Sequence, residues 1–359
     1  MATEKINVER FVELARTHVV LDVRSPGEFT HAHLPGAYNL PLFSDEERKI
    51  VGTAYKQESR EAAIKIGLDY FGPKMKKMVE EVECIVKRSS SGVESHRTLN
   101  PNTLLMYCWR GGMRSAGIAW LMDLYGFKVY TLVGGYKRFR NYVLDTFKLP
   151  FEFKVLAGYT GSGKTEVLKA LRQKGERVVD LEEVARHKGS AFGGIYQKQP
   201  SQEMFENVLA LELLRHATGE DQQAPIWLED ESQRIGDVNI PCDLWLNMRR
   251  SPVYFLDIPF EKRLHHIVSE YGKLDKEKLI NCICRIERRL GGLETKHAIN
   301  YLLEDNTIEC FRILLRYYDK WYLKSLHNRE NLNSLLVGIS CENAGQQNIE
   351  ALREQALIS

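Results

Sequence analysis

Residues Gly158-Tyr159-Thr160-Gly161-Ser162-Gly163-Lys164-Thr165 satisfy the pattern G-x-x-x-x-G-K-[ST] in full. An apolar run, Phe153 to Ala157, leads into them, and a helical pattern to about Lys174 leads out. Strand, glycine loop and helix in that order turn backbone N–H groups onto phosphates at a helix N-terminus. The order also commits the chain around it to a parallel sheet. Further strand patterns at Arg177 to Leu181, Pro225 to Leu228 and Val253 to Leu256 alternate with helical ones, as an α/β fold requires. Gly158, Thr160, Gly161, Ser162 and Gly163 are expected to cradle a diphosphate. Lys164 would neutralise it and Thr165 could ligate Mg²⁺. The motif alone does not separate ATP or GTP from another diphosphate.

A second loop lies upstream. The apolar run Leu104 to Tyr107 reads as a strand and is followed by Cys108-Trp109-Arg110-Gly111-Gly112-Met113-Arg114-Ser115. A thiol is a useful nucleophile as its thiolate, and inward N–H groups at a helix start lower its pKa and bind anions. Gly111 and Gly112 permit the backbone angles such a loop needs. Arg110, Gly111, Gly112 and Met113 would supply N–H groups, and Arg114 would pair with an oxyanion. Five residues separate Cys108 from Arg114, a span suited to a tetrahedral, phosphate-sized ligand.

A chain of 359 residues exceeds what one compact domain usually holds. Domains are expected at 1–148 and 149–359, with the boundary at Pro150. The first contains a helix at Val8 to Leu14, a strand at Val19 to Val23, helices from Glu61 to Val86 interrupted at Gly72-Pro73, and a strand at Val129 to Val133. Lys87 to Asn102 reads as a polar surface insertion. In the second, Asp180, Glu229, Asp230 and Arg234 are expected beside the phosphate loop, because ligands sit beyond the carboxyl ends of parallel strands. Phe260 to Leu290 reads as a charged helical segment. Seven scattered cysteines argue against a disulfide framework. No signal-like leader or spanning segment is legible, so a cytoplasmic location without membrane association is expected. The net charge of +2 is too small to imply nucleic acid by itself.

Three runs in order resemble a rhodanese domain over about residues 5–140. They are Leu21-Asp22-Val23-Arg24-Ser25-Pro26-Gly27-Glu28-Phe29, then His31 to Pro41, then the cysteine loop. His31 and His33 are given a structural role there. The usual sulfur-transfer loop of that family has a shorter span between Cys and Arg. The longer span occurs in a phosphatase branch of the fold, so a phosphatase using Cys108 and Arg114 stays open. A rhodanese domain fused to a P-loop domain resembles the tRNA 2-selenouridine synthase family. His187-Lys188-Gly189-Ser190-Ala191-Phe192-Gly193 and Glu229-Asp230-Glu231-Ser232 extend the likeness over nearly the whole chain.

The resemblance implies an enzyme acting on the wobble 2-thiouridine of Lys, Glu and Gln tRNAs. It implies geranyl transfer from geranyl diphosphate to sulfur, then replacement of the S-geranyl group by selenium from selenophosphate. Cys108 carries over as the essential cysteine of selenium transfer, and the loop at 158–165 as the candidate prenyl-diphosphate site. No tightly bound cofactor is implied; a selenophosphate-making enzyme is a candidate partner. For tRNA phosphates the candidates are Lys137, Arg138, Arg140, Arg285, Arg288 and Arg289, with Arg249, Arg250, Arg263, Lys273, Lys276 and Lys278 as further ones. Trp109 or Tyr136 could stack on an unpaired base. Two other readings compete: an ATP-dependent kinase carrying a rhodanese domain, and a non-catalytic sulfur carrier or RNA-binding module.

Overall fold

A computed structural model describes residues 3–90, 101–190, 192–193, 197–217, 224–272 and 274–358. Lys273, Ala191 and residues 91–100 of the polar insertion lie outside the described residues. The chain divides into two compact units, Met1–Asp145 and Thr146–Ser359.

The first unit runs β1 (Glu4–Ile6), α1 (Val8–Leu14), β2 (Val19–Asp22), α2 (Pro26–His31), β3 (Tyr38–Asn39), α3 (Asp45–Gln57), α4 (Arg60–Phe71), α5 (Met75–Ser90), β4 (Thr103–Tyr107), α6 (Met113–Tyr125), β5 (Lys128–Leu132) and α7 (Gly135–Thr146). Its five strands are parallel in the order β1-β5-β4-β2-β3. Helices cover both faces, so every residue of the inner strands β2 and β4 is buried. The interruption at Gly72-Pro73 is one 3₁₀ turn, Gly72–Lys74. Lys87 and Arg88 continue α5 rather than opening a loop.

The second unit runs β6 (Phe153–Gly158), α8 (Lys164–Gln173), α9 (Leu181–Ala185), α10 (Gln202–Ala217), β7 (Ile226–Glu229), β8 (Arg234–Ile235), β9 (Val238–Asn239), α11 (Cys242–Arg250), β10 (Val253–Asp257), α12 (Phe260–Tyr271), α13 (Lys276–Leu290), α14 (Gly292–Leu303), α15 (Thr307–His327), α16 (Leu332–Leu335), β11 (Leu336–Ser340) and α17 (Ile349–Ile358). Its main sheet is parallel in the order β11-β10-β6-β7. The expected strand at Arg177 to Leu181 reduces to one bridge, Val178 to Trp227. Asp180 ends it: its carboxylate accepts the Glu183 N–H at 2.8 Å and caps α9 instead. The charged segment is two helices, with Asp275 capping the second.

Helices α12 to α15 close on a shared core that includes Leu264, Ile283, Ala298 and Leu314. Arg263 is buried there rather than facing RNA. It pairs with both carboxylate oxygens of Asp319 at 2.9 and 2.8 Å and donates to the Ile258 carbonyl. Its Nη1 also donates to the Thr160 carbonyl at 3.1 Å, which ties this helical layer to the phosphate loop. All seven cysteines are free thiols. Among the described residues no helix is long and apolar enough to cross a membrane. Removing one partner of a buried ion pair leaves the other uncompensated. Arg263→Ala is therefore expected to lower the unfolding free energy by about 3 kcal/mol in a urea titration; an unchanged midpoint would contradict the brace.

Candidate functional site

Both loops found in the sequence follow an interior strand of a parallel sheet, β4 in one unit and β6 in the other. In the first unit the Cys108 sulfur is buried at 3% exposure. It accepts the Gly112 N–H at 3.3 Å and the Ser115 hydroxyl at 3.2 Å. Burial by itself pushes the thiol up. The Ser115 hydroxyl and N–H, the Arg114 charge and the Arg110 N–H outweigh it and hold Cys108 below its ordinary value. Arg114 is steered by Glu28 at 3.1 Å, which also takes Arg48 at 2.8 Å. Glu28 in turn lies below the usual carboxylate range because these two cations overcome its burial.

The outward side of this loop is held by the chain after β5. The Tyr136 and Lys137 N–H groups donate to the Cys108 and Trp109 carbonyls at 2.8 and 3.0 Å. A side chain at Gly135 would overlap the Cys108 carbonyl oxygen, and one at Gly111 would meet the Leu132 oxygen at 2.6 Å. Buried Arg24, paired with Asp22 at 2.6 Å, lies 3.8 Å from the Tyr136 ring centroid.

In the second unit Gly161 and Gly163 take positive φ, and Lys164 folds back to donate to the Gly158 carbonyl at 3.0 Å. The Gly158 N–H donates to Tyr322 on α15 at 3.2 Å. The Tyr322 hydroxyl donates to Asp230 at 2.8 Å, and Asp230 also accepts from Arg329 at 2.8 Å. The loop opens on a cavity of about 380 Å³ with a mixed lining. Its polar lining includes Thr160 to Thr165, Lys188, Glu182, Glu229 and Glu231. Its apolar and aromatic lining includes Phe192, Ile267, Tyr271, Phe311, Leu314 and Trp321.

Carboxylate oxygens of Glu182, Glu229 and Glu231 lie within 4.8 Å of one another. Burial, then the charges of Glu182, Asp180 and Glu231, raises Glu229 well above the usual range. Glu231 is pushed up to about 8 by burial and by Glu182, against the pull of Lys164. Burial likewise raises Glu182, although the Gly189 N–H and Lys164 oppose it. A Cβ at Gly189 would meet the Glu231 carboxylate at 2.6 Å and push that side chain aside. Three hard oxygen donors beside Thr165 fit a divalent cation, which would relieve their mutual repulsion.

Of the expected diphosphate residues, Thr160, Gly161, Ser162, Gly163, Lys164 and Thr165 line the cavity, as do Glu229 and Asp230. Asp180 stands behind them as a helix cap. Arg234 lies on the exposed β8–β9 hairpin, bonded to the Gly236 carbonyl and near Asp237. Arg110 and Met113 are exposed at the cysteine loop. Among the tRNA candidates, Lys137, Arg285, Arg288 and Arg289 are exposed, and Arg140 is half-buried. Arg138 lies 3.7 Å from Glu9, and Lys276 pairs with Asp305 at 2.6 Å. Tyr136 is fully buried, which removes it as a base-stacking surface, while Trp109 stays exposed. His33 stacks on Phe29 at 3.8 Å and bonds to its carbonyl. Ser115 and Tyr322 went unread. Ser115 had a signal, one helical turn beyond the glycines; Tyr322, far along the chain, had none.

Residues 151–342 match the model of the tRNA 2-selenouridine synthase AAA domain, and residues 8–142 match that of the rhodanese-like domain. The chain belongs to the tRNA 2-selenouridine synthase family. It is 34% identical to the tRNA 2-selenouridine synthase of Bdellovibrio bacteriovorus, over 92% of this chain and 94% of that one. The enzyme of that name from Pseudomonas savastanoi pv. phaseolicola is 34% identical, over 84% of this chain and 87% of its own. That from Nitrosomonas europaea is 39% identical, over 70% of this chain and 63% of its own.

Two outcomes follow from these environments. Ser115→Ala removes a hydrogen bond to the thiolate, so the pH profile of Cys108 alkylation should move upward and the rate at neutral pH fall about tenfold. An unmoved profile would show that Ser115 does not tune the sulfur. Glu231 binds its proton more tightly folded than unfolded. Raising the pH from the ordinary carboxylate value of 4.5 to about 8 should therefore cost stability. Glu231→Gln should flatten that decline in thermal melts, and Mg²⁺ should reduce it in the wild type.

Proposed function

We propose that the protein converts wobble 2-thiouridine in tRNA to 2-selenouridine through an S-geranyl intermediate. It would use geranyl diphosphate at the phosphate loop and selenophosphate at the cysteine loop. The observation that carries the first step is a cavity lined both by the phosphate loop and by apolar and aromatic side chains. Geranyl diphosphate needs both, a diphosphate site and an apolar surface for its chain. The N–H groups of Thr160 to Thr165 and the Lys164 ammonium would hold the diphosphate, and Phe192, Tyr271, Phe311 and Leu314 would take the chain.

The sulfur of 2-thiouridine then attacks the carbon bearing the diphosphate. That carbon–oxygen bond breaks, diphosphate leaves with the electron pair, and the base loses its N3 proton. Positive charge preorganised around a leaving group lowers such a barrier, and Lys164 supplies it. Mg²⁺, held by Thr165 and the carboxylates, would add to this when bound. No step consumes ATP, although the loop has the form of a nucleotide site.

The selenium of selenophosphate then attacks C2 of the base, geranyl thiolate leaves with the electron pair, and water takes the phosphoryl group as phosphate, breaking the P–Se bond. The ring of N–H groups at Cys108 to Met113, with Arg114, suits the tetrahedral selenophosphate anion, and Cys108 in its lowered-pKa state is the essential cysteine of this transfer. The family points to tRNAs for Lys, Glu and Gln as substrates. It also points to a selenophosphate-making enzyme as supplier and to the cytoplasm as the place of action.

Purified protein given geranyl diphosphate and 2-thiouridine tRNA should form the S-geranyl nucleoside without ATP, read by mass spectrometry. Added selenophosphate should convert it to 2-selenouridine. Lys164→Ala should slow geranylation at least about a hundredfold, and Cys108→Ala should abolish selenation. A strict ATP requirement would favour a kinase. Phosphomonoester hydrolysis lost in Cys108→Ala would favour a phosphatase.

A further inference from the structure

Trp321 on α15 combines two properties that a core tryptophan does not have: it is 41% exposed, and it lines the cavity that holds the phosphate loop. Two exposed cations lie over its ring, where an arriving base would displace them toward the phosphates. The Arg289 guanidinium carbon lies 5.9 Å from the ring centroid and the Lys324 Nζ 5.3 Å. Tyr317, one turn earlier on α15, meets the same ring edge-on at 6.4 Å. Arg285 and Arg288 extend the exposed positive charge along α13. The cavity lining includes the carboxylates of Glu182, Glu229 and Glu231, whereas Trp321 lies among cations. An exposed planar ring among cations is the arrangement that takes an unpaired nucleobase on its face and the flanking phosphates on its charges.

We propose that Trp321, with Arg289 and Lys324 beside it, is the stacking platform that presents the unpaired wobble base of tRNA to the phosphate-loop cavity. Arg289 and Lys324 hold the phosphates on either side. The assignment rests on the tRNA reading above and adds to it the surface that receives the base. It also gives Arg289, which meets the ring and lines the cavity, a role separate from that of exposed Arg285 and Arg288.

The test measures full-length protein binding to two synthetic anticodon stem-loops, one with 2-thiouridine at the wobble position and one abasic there. Loss of the base should weaken wild-type binding about tenfold, the usual scale of one base–aromatic stack. Trp321→Ala should bind the intact RNA about tenfold more weakly and be indifferent to the abasic change. Trp321→Phe should recover most of both effects. Arg289→Gln and Lys324→Gln should each lower the salt dependence of binding by about one phosphate contact. Unfolding midpoints of the variants, matched to wild type, separate these effects from misfolding. A full abasic penalty in Trp321→Ala would overturn the platform while leaving the tRNA reading intact. A wild-type protein that binds neither RNA would overturn both.

Discussion

A loop that turns its N–H groups inward onto an anion must turn its carbonyls outward, and buried carbonyls need donors of their own. Both candidate sites depend on meeting that demand. In the first unit the start of α7 supplies the donors: the Tyr136 and Lys137 N–H groups take the Cys108 and Trp109 carbonyls. In the second, Arg263 takes the Thr160 carbonyl and Lys164 takes that of Gly158. In both loops outward carbonyls thus find donors, backbone N–H groups in one and side chains in the other. The glycines of the supporting chain are as constrained as those of the loops, since Gly135 touches the back of the cysteine loop directly.

The second unit carries a cost that the first does not. Glu182, Glu229 and Glu231 crowd together where burial disfavours charge. Carboxylates in such a place are tolerated when a bound group offsets them. The only nearby cations among the cavity-lining residues close to them are Lys164 and Lys188, and Lys188 is already paired with Glu270. The cluster therefore makes sense as part of a site that works with a cation present. Asp230, next in the chain to Glu229, is instead hydrogen-bonded by Arg329 and Tyr322.

Much of this was legible in the sequence because the two loops are local devices. Cysteine, glycines and arginine within one turn, or glycines and lysine between strand and helix, act through neighbours in the chain. Their strand and helix contexts appeared where the apolar patterns placed them. What failed to read was whatever arrives from afar. Arg263 looked like a surface cation in a charged helix, yet Asp319 on another helix draws it into the core. Tyr136 looked available to a base, yet Arg24 lies against its ring. Arg177 to Leu181 had the composition of a strand, and one side-chain cap at Asp180 turned it into a helix start.

The sequence by itself determined that two anion loops of different chemistry share one chain and that each follows a strand of a parallel sheet. Periodicity and short-range spacing carry that information, and no distant residue is needed to express it. Only the tertiary structure decided what each loop faces. Ser115 and Glu28 set the sulfur and its arginine, while α12 and α15 line the phosphate cavity with apolar side chains. Such groupings depend on which faces of separate helices come together, and packing, unlike a motif, has no fixed spacing along a chain.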